Sequence, residues 1–527
     1  MLRMAVRGGI PAIIIVLSVV ACGVSASSSE SSDGAPASPK SPGAASDAGG
    51  FFGDAASPPP PEREVESSFE APVATGSYVW VTNPKSGRVA YIDVRSLAVK
   101  TVEAGNGPTY LAAVPGAQVD TTVVLNVLSR DATVLRASPT GIDVKTVKIA
   151  NGANSWAFSA DGRYAIAWAD AKKSPAAPKT QGFQDLTVID LTGATPPTVL
   201  AVGYRPVLVG FSKSAPLAHA VTQDGVAIVD LSTSPPRLVK NVAISATPTE
   251  DPGTRDVAVT PDGKLALVRR DGSNAVTAVS LETGQRVEVT LNGPVTDLDL
   301  TEAGDRAVAV VRSTSTVSIL PIPQVLTQPT QVKSVTVTGE TIGSVVLSAD
   351  GNTAMLYTNA SQTERVTVMS LSATPDPTYR VVRLYSPVLA AFASPDAKHA
   401  TILHDIKTQD GAFSLVPLAT DLPAKIVAMT AKPAHVAMTT DTALVSERGD
   451  AQKVYGAYLA KLPSFQVERF ALASPPIAVG IVPAAKRGFV AQQHPEGRIT
   501  FLDLDTGLAR TLTGFELASR VVDGSKP

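Results

Sequence analysis

The residues of this sequence whose types and spacing could do chemistry are few. Asp297 and Asp299 stand two apart in an alternating stretch, Asp297-Leu298-Asp299-Leu300, so on a strand both carboxylates share one face. That is the arrangement an acid–base pair or a cation grip requires. Glu302, Arg255 and Asp256 lie near equivalent points of the chain and could gather with them. Of the five histidines, His219, His399, His404, His435 and His494, only His399 and His404 are near neighbours, and their spacing puts them on opposite faces of a strand. A metal site needs several converging ligands, so no metal is expected. His494-Pro495-Glu496-Gly497 reads as a turn. Cys22 is the sole cysteine, which excludes an intramolecular disulfide and a thiolate cluster. There is no Gly-x-Ser-x-Gly elbow, no phosphate-cradling Gly-rich loop and no Asp-x-Asp-x-Asp-Gly calcium loop. No cofactor is expected, and the inventory points to binding more than to covalent chemistry.

Composition narrows the elements that could position these residues. The 527 residues carry 45 Lys plus Arg against 47 Asp plus Glu, a formal charge of −2. A sequence-independent grip on nucleic acid is therefore not expected. Charged residues are only 17%, while the chain holds 39 glycines and 41 prolines with 44% apolar residues. Such a turn-rich, weakly charged chain reads as all-β. The pairs Lys172-Lys173 and Arg269-Arg270 are too isolated to form a basic patch.

The N-terminus reads as an export address. Arg3 and Arg7 precede an apolar stretch, Ile10 to Val20, too short to span a bilayer as a helix. Leu17-Ser18-Val19-Val20-Ala21-Cys22-Gly23 resembles the lipobox of bacterial lipoproteins. The resemblance implies removal of 1–21 as a signal peptide and diacylation of Cys22, which would hold the protein to the cell envelope by its acyl chains. Gly23, in place of an aspartate that resembles an inner-membrane retention signal, permits an outer-membrane destination. From Cys22 to residue 76 the chain is rich in Ser, Ala, Gly and Pro, with a Pro58-Pro59-Pro60-Pro61 run, and is expected to be a disordered tether. Its reach as a flexible chain is about 40 Å. Phe51-Phe52 is its one apolar spot.

From residue 77 to 527 the sequence repeats. Phe158-Ser159-Ala160-Asp161-Gly162-Arg163, Val259-Thr260-Pro261-Asp262-Gly263-Lys264, Leu347-Ser348-Ala349-Asp350-Gly351-Asn352 and Ala393-Ser394-Pro395-Asp396-Ala397-Lys398 occupy one place in successive units. Asp-Gly between β-rich runs signals a hairpin, and these aspartates read as turn formers. Upstream, Pro108, Pro206, Pro294, Pro387, Pro433 and Pro476 each open a small-residue run that reads as an inner strand. Downstream, runs such as Val188-Ile189-Asp190-Leu191 and Phe501-Leu502-Asp503-Leu504 read as half-buried strands ending in a turn-forming residue. Inner strands are expected near residues 109, 155, 207, 255, 295, 343, 388, 434 and 477, a spacing of about 41 to 52 residues. Units of that length holding four strands define a β-propeller of four-stranded antiparallel blades, here about 8–10 of them. The units 108–150, 387–432 and 433–475 are the least regular. The first unit lacks an inner strand, and Phe515 to Val522 is left over at the other end. The expectation is one ring closed by that C-terminal strand pairing with the first blade, so that no edge stays open.

Tyr78-Val79-Trp80-Val81-Thr82-Asn83 followed by Ser86-Gly87-Arg88-Val89-Ala90-Tyr91-Ile92-Asp93 resembles the YVTN-type propeller repeat, and later units look similar to its relatives among TolB and lactonase-like propellers. The resemblance implies fold more than function. Quinone-dependent propellers carry a tryptophan in nearly every blade, whereas Trp80, Trp156 and Trp168 are the only ones here and read as packing residues. Two functional readings follow. The first is a lipid-anchored, non-catalytic binding or scaffold module for a protein, peptide or glycan, with the insertion at about 171–184 as a docking feature. The alternative is an exported lactonase-like or other hydrolytic propeller, with Asp297 and Asp299 as acids lining the channel mouth. Neither reading fixes an oligomeric state.

Overall fold

The computed structural model describes residues 72–173, 184–247, 249–372, 376–407, 410–494 and 496–514, together with the backbone strand Val16–Ser18. The chain forms a ten-bladed β-propeller, each blade a four-stranded antiparallel sheet of consecutive strands. The inner strands are Val73–Ala74, Pro108–Ala113, Ser155–Phe158, Leu208–Phe211, Arg255–Val259, Asp297–Leu300, Ser344–Leu347, Val388–Ala393, Lys432–Met438 and Pro476–Val482. They define blades 1 to 10. Val16–Ser18 lies antiparallel beside the inner strand of blade 9. Among the described residues, helix is confined to five three-residue 3-10 turns.

One ring is closed, because ten apolar clusters each join a pair of neighbouring blades. The pleat explains how. In blade 6, Ala307, Ala309 and Val311 pack toward blade 5, while Val308 and Val310 pack toward blade 7. The second and third strands are thus covered on both faces, and Thr121–Asn126 is buried at every position. This corrects the half-buried reading of the third strands. Asp185–Asp190 and Ala275–Ser280 are each buried at all but their first residue, as strands sandwiched between two blades must be.

The clasp differs from expectation. Blade 1 takes its inner strand from Val73–Ala74, which pairs with Trp80 and Val79, so the place assigned to the C-terminal segment is already filled. Ala74, Val79, Ile92 and Val94 of blade 1 then pack against Val482, Phe489, Ile499 and Phe501 of blade 10. The ring closes by apolar packing between these blades. Residues 515–522 lie outside the described residues, and the strand at 73–74 falls within the stretch read as tether. The three least regular units are complete blades, and blades 2 and 9 contain strands of eight residues, Asp131–Ser138 and Thr442–Gly449 among them.

The Ser/Thr-x-Asp-Gly repeat is a turn device. Asp161 accepts from Ser159 Oγ at 2.6 Å and from the Arg163 N–H at 3.0 Å, while Ser159 Oγ accepts from the Tyr164 N–H at 2.9 Å. The same bonds recur around Asp262, Asp350 and Asp396. Gly162, Gly263 and Gly351 supply the positive φ that follows, and Ala397 adopts it at +60° without glycine's freedom. At the ends of third strands, Asp93, Asp190, Asp230 and Asp503 likewise accept from a Ser or Thr two or three residues on.

Long side chains staple neighbouring blades across these turns. Arg136 donates to the Leu191 carbonyl, Lys240 to Glu282, Arg380 to Pro417, Lys425 to Phe465 and Lys461 to Leu504. In each case the donor reaches the end of the third strand, or the turn after it, in the next blade.

Candidate functional site at the channel mouth

On the entry face, where inner strands begin, charged residues from separate blades meet at the channel mouth. Asp256, second residue of the blade 5 inner strand, accepts from Lys172 Nζ at 3.2 Å and pairs with Arg269 of the adjoining strand. Arg269 also reaches Asp271 at 3.1 Å and the Val295 carbonyl at 3.3 Å. Burial pushes the Asp256 carboxyl up, but the Arg269 and Lys172 cations outweigh it and hold the group below the usual carboxylate range. Burial lowers Arg269 in turn, and Asp256, Asp271 and Asp297 more than restore it. Asp297 is near enough for its charge to act on Arg269.

A second knot lies beside the first. Glu250 binds Arg255 at 2.8 Å and Arg270 at 2.7 Å, and the fully buried Arg255 side chain donates to the Thr222 and Gln223 carbonyls of blade 4. Burial raises Glu250, yet Ser245 and the two guanidiniums keep it below its ordinary value. Arg205 pairs with Asp251 at 3.1 Å.

Asp297 and Asp299 do share a face, as their alternation requires, but the face turns to blade 7. Asp297 Oδ2 accepts from the Val345 N–H at 2.7 Å and Asp299 Oδ2 from the Leu347 N–H at 3.0 Å. The other oxygen of each accepts from the next residue of its own strand at 2.8 Å. The two carboxylates stand in for the strand that the blade 7 inner edge would otherwise lack. Burial pushes the Asp299 carboxyl up, against the two N–H donors that favour its ionised form. Glu302 comes after the end of that strand, at the opposite face, where it meets Lys213 at 3.3 Å. The structure therefore sets Asp256 and Asp297 around Arg269, buries the Arg255 side chain against blade 4, places Asp299 deeper, and separates Glu302 from them.

The histidines do not converge either. His404 bonds the Pro387 carbonyl at 3.1 Å and Ser414 Oγ at 2.7 Å, and His435 bonds Ser446 Oγ at 3.0 Å. Burial drives His219 and His435 down to about 4. His494 accepts the Glu496 N–H at 3.2 Å, a turn contact. Among the described residues no group of three or more His, Cys, Asp or Glu could hold a metal ion. Trp80, Trp156 and Trp168 sit in the clusters between blades 1 and 2, 2 and 3, and 3 and 4. Cys22 and Gly23 lie outside the described residues.

Two features escaped the sequence reading. Lys172, set aside as part of an isolated basic pair, leaves blade 3 at the root of the 171–184 insertion and reaches the inner strand of blade 5. A cleft of about 390 Å³ opens between blades 6 and 7, lined by Pro294, Thr296, Arg312, Thr341 and Ser361. Each joins residues far apart in the chain, so no local signal could have found them. Chemically, the mouth offers paired, partly exposed charges and hydroxyls, a surface suited to polar recognition.

The fold and mouth define a ten-bladed β-propeller with a charge-lined entry face. No family model and no curated protein matches the sequence. Similar solved structures include dihydro-heme d1 dehydrogenase NirN in complex with DHE, at 13% identity over 69% of this chain and 76% of that one, TM-score 0.41. Apo AztD from Citrobacter koseri is similar at 12% identity over 76% and 96%, TM-score 0.40. Kuenenia stuttgartiensis hydrazine synthase is similar at 21% identity over 56% and 93%, TM-score 0.32. The propeller assignment rests on the strand pairing above.

Proposed function

We propose that this protein is a lipid-anchored cell-envelope propeller that acts as a non-catalytic binding or scaffold module for a protein, peptide or glycan. The observation that carries the reading is the engagement of Asp297 and Asp299 by the backbone of blade 7. A hydrolytic propeller would need these acids to converge with Glu302 on a substrate, and Glu302 instead pairs with Lys213 at the other face. Cys22 carries the anchor in this reading, Gly23 leaves the outer membrane open to it, and residues 22–76 give clearance from the lipid. The ligand meets the entry face, at the charged mouth and the cleft between blades 6 and 7.

Palmitate labelling of producing cells tests the anchor: the wild type takes up label and Cys22→Ser does not. Crosslinking in intact envelopes tests the role. Crosslinks from the entry-face loops to one defined partner, absent in Arg312→Glu, are expected; no partner at any salt concentration overturns the binding reading.

A further inference from the structure

The outer strands of a propeller are sheet edges, and edges left uncharged invite another strand. Nine of the ten outer strands here carry Lys or Arg: Lys100, Lys145, Arg237, Arg286, Lys333, Arg380, Lys425, Arg469 and Arg510 supply at least one each. The exception is blade 3. Its outer strand, Thr198–Ala201, reads Thr-Val-Leu-Ala and has no charge at all.

Among the described residues no strand pairs with the outer edge of that strand. Val202 donates to the carbonyl of Gln184, the residue before the third strand, and antiparallel bonds alternate, so the N–H and C=O groups of Val199 and Ala201 point away from the sheet. Both residues are exposed, Val199 at 54%. Leu200 packs into the cluster shared with blade 4, which fixes the register of the strand and hence which groups face out. Blade 7 also exposes apolar residues on its outer strand, Tyr379 and Val381, but there Arg380 and Arg383 guard it.

We infer that the outer edge of blade 3 is a strand-addition site for an extended, acidic segment of a partner protein. The inference rests on the binding role proposed above and adds to the entry face a second surface with its own partner chemistry. Main-chain hydrogen bonds to Val199 and Ala201 would supply affinity, as in other strand-addition complexes. Charge selects the occupant. The outer strands on either side carry Lys145, Lys148, Arg237 and Lys240 against Asp143 alone. Lys148 and Arg237 are largely solvent-exposed, at 86% and 68%, although each has an acidic neighbour. An acidic strand is drawn in by these cations, whereas a second copy of this chain would set like charges against one another.

The test is fluorescence anisotropy of a labelled peptide on the full-length protein. The probe has a core of alternating threonine and valine with two glutamates at each end. Saturable binding by the wild type and by Val381→Lys is expected, with Val199→Lys weaker by at least tenfold. A peptide with lysines in place of the glutamates should also bind at least tenfold more weakly. If Val199→Lys fails to fold by circular dichroism, Ala201→Lys replaces it with the same expectation. Equal binding by the edge variant, or no saturable binding by the wild type, overturns the site. A wild-type dimer in sedimentation that Val199→Lys abolishes overturns the choice of occupant in favour of a second copy. Loss of the entry-face crosslinks with peptide binding intact overturns the entry-face reading alone, and loss of peptide binding with those crosslinks intact overturns this edge alone.

Discussion

At the scale of single residues, acid enters this fold through its buried histidines before its turn carboxylates. Asp161 is held below the ordinary carboxylate range chiefly by the Ser159 hydroxyl. Asp350 and Asp396, despite burial that raises them, are held down by Ser348 and Ser394. Folded-state values below the unfolded one mean these carboxyls add stability above about pH 4 that is lost as the pH falls further. The histidine window lies higher. His219, pushed by burial from 6.5 to about 4, stays neutral in the ring while the unfolded chain takes up a proton. Its contribution is complete above pH 6.5 and is lost as the pH falls from there to about 4. His219 packs over Gly210 of the inner strand, where a Cβ would meet its Nε2 at 2.6 Å. Blade 10 repeats the arrangement with Phe489 over Gly480. His219→Phe should therefore be accommodated, and urea unfolding should show it losing less stability than the wild type between pH 6.5 and 4.5, by up to about 3 kcal/mol. Equal pH dependence of the two proteins would mean that His219 is not the group titrating.

At the scale of elements, Asp297 and Asp299 act as edge caps, each tying two backbone N–H groups. Replacing either by alanine leaves buried donors unpaired, so Asp297→Ala and Asp299→Ala should each cost about 1–3 kcal/mol in denaturant unfolding. Asparagine, with one acceptor oxygen, should restore part of that. Hydrolase acids would behave otherwise, with stability kept and turnover lost. The alternation Asp-Leu-Asp-Leu showed in the sequence that the two carboxylates share a face. It could not show which body that face meets, since Val345 and Leu347 belong to the next blade. The inner strands of blades 2 to 10 were legible because each opens near proline or small residues at a recurring spacing, and four of them precede the Asp-centred turn. The blade 1 inner strand was not. Val73–Ala74 is two residues long, too short for any periodicity, and follows a proline- and glutamate-rich stretch. Lys172 and Asp256 are invisible as a pair for a related reason: the contact is made by ring geometry, across an intervening blade.

At the scale of the whole molecule, ring closure decides whether ten blades unfold as one body. Most of the ring is joined by apolar clusters reinforced at the turns by staples such as Arg380 to Pro417 and Lys240 to Glu282. The seam of blades 10 and 1 has its own cluster, in which Phe489 and Phe501 supply most of the bulk and the two-residue strand Val73–Ala74 supplies the inner edge. Because that edge is filled by residues next to blade 1 in the chain, closure does not wait on the C-terminus. Deleting residues 515–527 should leave the thermal midpoint within about a degree, since a loss of 1 kcal/mol in a protein this large moves it by no more than about 2–4 °C. Ala74→Asp puts a carboxylate among the apolar side chains of the seam, where Ala74 is 8% exposed, and should lower the midpoint by several degrees. Scanning calorimetry of the two variants at one heating rate separates the alternatives. A drop in the deletion variant equal to that of Ala74→Asp would return the clasp to the C-terminal segment, whereas a drop confined to Ala74→Asp places it at 73–74.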